Sequence, residues 1–156
     1  MAADTVLVAL VGRPFDADAL AHATERFPAA DLVVLAVVTP LDAPFSEGQL
    51  LSPTDDRFVQ ARQRAEGLVE RARGTSAGAS NDIRIVVAQG RPAPVVAARA
   101  DRLDADRIVV GARDRSRLAD YLLGDGVGAA IADRASVPVT VVEVDQETPR
   151  PADSIL

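Results

Sequence analysis

The chain of 156 residues has no cysteine, no tryptophan, a single histidine and only 3% aromatic residues. Without cysteine there are no disulfides, no thiolate chemistry and no cysteine-ligated metal sites. A lone histidine, His22, excludes zinc sites that need a histidine pair. Lysine is absent too; every basic residue is an arginine. That excludes a Schiff-base lysine and the lysine of a phosphate-binding P-loop. The scarcity of aromatics removes most stacking platforms for single-stranded nucleic acid. No apolar run reaches the length of a bilayer span. Met1 to Thr5 carry an acid and no basic residue, unlike a secretory leader, so the expectation is a soluble, cytoplasmic protein. The net charge of -6 argues against a nucleic-acid partner, because phosphate neutralisation needs clustered positive charge.

Hydrophobic residues make up 48% of the chain, enough for one well-buried domain. Five short runs rich in Val, Ile and Leu punctuate it: Thr5–Val11, Asp31–Val38, Ile83–Ala88, Arg107–Gly111 and Val137–Val144. Several are continuous rather than alternating, the pattern of strands buried on both faces of a parallel sheet. Helical patterns lie between them. Leu20, Ala23 and Phe27 recur at helical spacing behind Asp16 and Asp18. Phe58, Ala61, Ala65, Leu68 and Ala72 form the clearest stripe, with Thr54–Asp56 as its start signal and Gly74 as its stop. Pro92 opens a third helix, and a last one is expected to begin near Asp125.

Strands alternating with helices predict one α/β domain over residues 1–145, an open parallel sheet sandwiched between helices, followed by a tail over 146–156. In such sheets ligands sit beyond the carboxyl ends of the strands. This gathers Val11–Pro14, Val38–Pro44 and Gly111–Gly128 around one candidate site. Thr39–Pro53 is a long connection that reads as a lid or as a plain loop.

The segment Gly90–Glu143 carries a family resemblance. Gly90–Pro92 begins a helix, Asp106–Gly111 reads as an acid followed by an apolar strand and glycine, and Pro138–Val142 as a closing strand. Together with the element order this resembles the universal stress protein family over almost all of Thr5–Val144. The resemblance implies a flavodoxin-like, adenine-nucleotide α-hydrolase-like three-layer sandwich with five parallel strands in order 3-2-1-4-5. It also implies a homodimer paired through the last strand, centred here on Val139, Val141, Val142 and Val144. Some members of that family bind ATP and others do not.

The family's glycine loop is altered in this chain. Gly111 and Gly124 match its first and third glycines, but Asp114 holds the second glycine's place and Asp125 the hydroxyl's. Where ATP binders carry an acid at the end of the first strand, this chain has Val11, followed by Gly12 and Arg13. Free N–H groups at a helix start favour an anion. Asp125 would take them up as an N-cap and repel a phosphate by up to about 4 kcal/mol at an effective dielectric near 20. Asp114 hinders the close backbone approach a glycine permits. Val11, Asp114 and Asp125 therefore read as site-disrupting.

The opposing features are Arg13, Arg113, Arg115 and Arg117, which can neutralise phosphates, and Gly126 and Gly128, which would keep the helix start adaptable. The first reading is a non-catalytic stress-response module with a degraded nucleotide loop, no cofactor and an unidentified protein partner. The alternative is an ATP·Mg²⁺ or adenine-nucleotide switch using Gly12, Arg13, Gly111, Arg113, Gly124 and Gly126. A dinucleotide fingerprint is set aside, because the loop is too long and lacks a downstream acidic strand. His22, Ser116 and Ser136 form no catalytic constellation, and Tyr121 reads as a packing residue.

Overall fold

A computed structural model describes residues 4–11, 15–38, 56–75, 81–114 and 127–145. Five strands and four helices alternate: β1 (Thr5–Leu10), α1 (Asp16–Arg26), β2 (Asp31–Val38), α2 (Asp56–Thr75), β3 (Ile83–Gln89), α3 (Pro92–Arg102), β4 (Arg107–Asp114), α4 (Val127–Arg134) and β5 (Val139–Asp145). All strand pairs are parallel, and the sheet order is β3-β2-β1-β4-β5.

Strand periodicity distributes the core. Val6, Val8 and Leu10 of β1 point to the layer of α1 and α2, where Ala19, Leu20, Ala23, Ala65 and Leu68 meet them. Leu7 and Ala9 point the other way, toward Val96 and Ala100 of α3 and Ile131 of α4. The same alternation divides Leu32, Val34 and Ala36 from Val33, Leu35 and Val37 in β2. Both central strands are thus buried on both faces, which is why their sequences read as unbroken apolar runs.

Several element boundaries differ by a few residues from those expected, and those of α2 and β4 bear on the argument. α2 runs through Gly74 to Thr75, so that glycine lies inside the last turn rather than beyond it. β4 continues to Asp114, three residues past Gly111, in register with Asp145 of β5. The described part of α4 starts at Val127, and Asp125, where its start was expected, lies outside the described residues. The turn from β3 into α3 does need its glycine: Gly90 has φ +143°, and its N–H donates to the Val38 carbonyl.

The end of α3 is closed without a glycine. Asp104 takes φ +52°, its N–H donates to the Asp101 carbonyl, and the Ala105 N–H donates to the Ala100 carbonyl. This is the Schellman pattern, with an aspartate where glycine is most often found. The left-handed conformation strains any residue bearing a Cβ. Asp104→Gly is therefore expected to raise unfolding stability by up to about 1 kcal/mol, read by urea denaturation. A loss of stability would show that the aspartate side chain contributes more than its strain removes.

Candidate functional site

The strand order reverses between β1 and β4, and the carboxyl ends of the strands at such a point are where a sheet of this kind ordinarily receives a ligand. Val11 follows β1 there, half-buried, and Gly111 stands buried on β4. The sequence places no acid at Val11, yet the structure supplies one from the next element. Asp16, in the first turn of α1, has no solvent exposure, and its carboxylate accepts the Val11 N–H at 3.3 Å. The other carboxylate oxygen accepts from Arg64 Nη1 of α2 at 3.0 Å. A negative charge at a helix N-terminus also gains from the macrodipole. Arg64 itself is 46% exposed, so the pair has one end in the core and one at the surface. Periodicity marks Asp16 only as a helix-start residue; its role depends on a partner 48 positions away.

Gly111 is explained by contact. A Cβ there would lie 2.4 Å from the carbonyl oxygen of Phe15, the residue that leads into α1. The glycine lets the start of α1 press against β4, and Phe15 is itself buried. Gly128 is likewise a packing residue rather than a source of adaptability at the helix start. It is buried in α4, and a Cβ would approach Val141 Cγ2 to 2.7 Å. Arg113 and Asp114 are residues of β4, where the sequence had suggested loop. Gly12, Arg13, Gly124, Asp125 and Gly126 lie outside the described residues, as do Ser116, Tyr121 and the connection 39–53.

Beside the Asp16–Arg64 pair a cleft of about 360 Å³ opens at the carboxyl ends of β1 and β2. Leu10, Ala36, Val37 and Val38 form its apolar floor; Arg57, Gln60, Ala61 and Arg64 form one wall. The wall residues recur every three or four positions and so share a face of α2. Sequence marks none of these as a site residue: Arg57, Gln60 and Arg64 read as a solvated helix face, and Ala61 as part of the apolar stripe.

Of the expected interface residues, Val139 and Val141 pack against the α3–α4 layer and Val142 against the α1–α2 layer. Val144 lies in β5, the edge strand. Ser136 donates to Asp101 at 2.7 Å, a contact between the ends of α4 and α3 rather than a nucleophile with its base. Among the described residues no group of three or more His, Asp or Glu is placed to hold a metal ion. Among the described residues no helix is long and apolar enough to cross a membrane.

Two substitutions test this geometry. Arg64→Ala removes the guanidinium contact of a buried carboxylate. Breaking a fully buried pair costs about 3–5 kcal/mol, and the exposure of the guanidinium reduces this to an expected loss of about 1–3 kcal/mol. Gly111→Ala forces a backbone shift against Phe15 and is expected to cost about 1–3 kcal/mol. Urea denaturation reads both, and a neutral result in either refutes that contact's role.

Comparison with known proteins gives the family. Residues 3–143 match the model of the universal stress protein family. No curated protein is significantly similar. Among solved structures, a universal stress protein in complex with cAMP superposes with a TM-score of 0.60 at 22% identity, covering 91% of this chain and 98% of that one. A universal stress protein from Archaeoglobus fulgidus gives 0.63 at 21% identity, covering 91% and 99%. Another from that organism, in complex with dAMP, gives 0.60 at 18% identity, with 91% and 99% covered. At these identities the superpositions speak for the fold, and the match over nearly the whole sequence speaks for descent: the chain belongs to the universal stress protein family.

Proposed function

We propose that the protein is a non-catalytic regulatory module of the universal stress type, whose glycine loop no longer serves phosphate. The observation that carries this reading is the use made of Gly111. The absence of a Cβ, which in a phosphate loop admits a ligand, here admits the carbonyl of Phe15. The first-strand end is similarly engaged within the protein, since the Val11 N–H is taken by Asp16. By the family pattern, the sequence has Asp114 and Asp125 at the second-glycine and hydroxyl positions, and two acids in a loop of that kind would repel a phosphate.

The second reading, an adenine-nucleotide switch, draws on the complexes of two structural neighbours with cAMP and dAMP. It would rely on Gly12, Arg13, Gly111, Arg113, Gly124 and Gly126, with Mg²⁺ between an acid and the phosphates. Calorimetric titration with ATP·Mg²⁺ separates the two. The first reading expects no binding below about 1 mM for the natural chain, and binding by the Asp125→Ser/Asp114→Gly variant. Micromolar binding by the natural chain, some 8 kcal/mol, would overturn it in favour of the switch.

We further propose a homodimer paired through β5. It lies at one edge of the sheet, and an edge strand offers unpaired backbone groups to a second copy. The Ile108 N–H donates to the Pro138 carbonyl, so in the parallel ladder the N–H groups of Val139 and Val141 turn to the open edge. Sedimentation is expected to give a dimer for the natural chain and monomer for Val139→Pro, which removes an outward donor and spares the ladder to β4. A monomeric natural chain sinks the proposal.

A further inference from the structure

We infer that Arg62 closes the β3 edge of the sheet to a second copy of the chain, so that strand pairing between copies is confined to β5. The inference goes beyond the proposed dimer and rests on it only for which edge is left open.

An open five-stranded sheet has two edges, and here they are β3 and β5. Ile83–Ala88 of β3 reads Ile-Arg-Ile-Val-Val-Ala, with one charge and neither proline nor glycine. A segment of that kind at an edge is prone to take on a further strand. The Leu32 N–H donates to the Asp82 carbonyl, and the Gly90 N–H to the Val38 carbonyl. In a parallel ladder this turns the backbone groups of Arg84, Val86 and Ala88 to β2 and those of Ile83, Ile85 and Val87 outward. Between α2 and β3 lies a cleft of about 470 Å³, lined by Phe58, Val59, Arg62, Gln63, Glu66 and Val87. Val59 is 39% exposed there, so an added strand would also find apolar surface to cover. By pattern alone β3 is as fit for pairing as β5.

A side chain distinguishes the two edges. Arg62 Nη1 donates to the Ile85 carbonyl at 3.3 Å. Ile85 is the middle one of the three outward-facing residues, so the guanidinium interrupts the edge at its centre. Ile83 and Val87 stand about 13 Å apart along an extended strand, and a strand that pairs with both must pair across Ile85 as well. To do so it has to displace a charged donor. Two copies meeting antiparallel about Ile85 also set one Arg62 against another, and like charges facing each other oppose the pairing. Among the described residues no side chain bonds the outward backbone groups of Val139 and Val141 in β5.

Sedimentation of natural and substituted chains tests the assignment. Arg62→Ala is expected to exceed the natural chain's mass in a concentration-dependent way, because two open edges per copy let the sheet continue without closing. In Val139→Pro, whose β5 edge is blocked, adding Arg62→Ala is expected to give a dimer. Self-association should tighten at least about tenfold, the order of one charge-assisted contact. Adding Val87→Pro as well removes an outward donor of β3 and spares the ladder to β2, so that dimer should return to monomer. Thermal melts confirm folding of each chain. Ile83→Pro, at the start of β3, replaces Val87→Pro if that variant does not fold, and Arg62→Ala with and without the β3 proline carries the comparison if Val139→Pro does not.

An Arg62→Ala chain that keeps the mass of its parent in both backgrounds overturns the inference. So does growth that persists once proline blocks the β3 edge. A natural chain that itself grows beyond a dimer overturns it too, since the edge would then be open despite Arg62. A monomeric natural chain sinks only the β5 dimer. Arg62→Ala must then dimerise through β3, and its failure to do so overturns the role of Arg62.

Discussion

Everything in this molecule follows from burying β1 on both faces. A strand in the middle of a parallel sheet has no side left for solvent, so helices must cover both. Parallel strands also need crossovers, and these are nearly always right-handed. From β1 the chain therefore turns one way through α1 and α2 to build β2 and β3. It turns the other way through α3 and α4 to build β4 and β5. The reversal of strand order between β1 and β4 is a consequence of that divergence. It belongs to the fold itself, and a chain can keep the fold while the residues at that point change use.

That separation explains which features were legible in the sequence. The strands were readable because Leu7, Val8, Leu32 and Val34 are buried by the sheet itself, and a doubly covered strand leaves an unbroken apolar run. The helices were readable from stripes such as Ala65, Leu68 and Ala72. Their limits were less so. β4 extends to Asp114 because pairing with β5 continues through Arg113 and Asp114, and charged residues give no strand signal. α3 ends at an aspartate in a left-handed conformation, where pattern alone would look for glycine.

The site was legible only as departures from a family pattern. Val11 could be seen to lack a carboxylate, but not that Asp16 returns one to the same backbone N–H. Gly111 could be matched to a loop glycine, but its contact with Phe15 spans 96 positions and leaves no local trace. Arg57, Gln60 and Arg64 line a cleft only because α2 packs beside the ends of β1 and β2. Spacing along a helix identifies a face; it does not identify what the face meets.

The buried carboxylate is also the least replaceable part of the site. An apolar residue at position 16 would remove the desolvation cost of the acid, yet it would leave the Val11 N–H without this acceptor and take this carboxylate contact from Arg64. A serine would bond the N–H but leave the cation. Only an acid meets both demands at once, at the point where α1 leaves the sheet and where α2 must be held. The charge that ties the two helices together is thus a buried one, beneath the carboxyl ends of the strands. The ion pair joins α1 to α2 where both helices meet the ends of the central strands, so one residue carries a backbone contact and an interhelix contact at this end of the sheet.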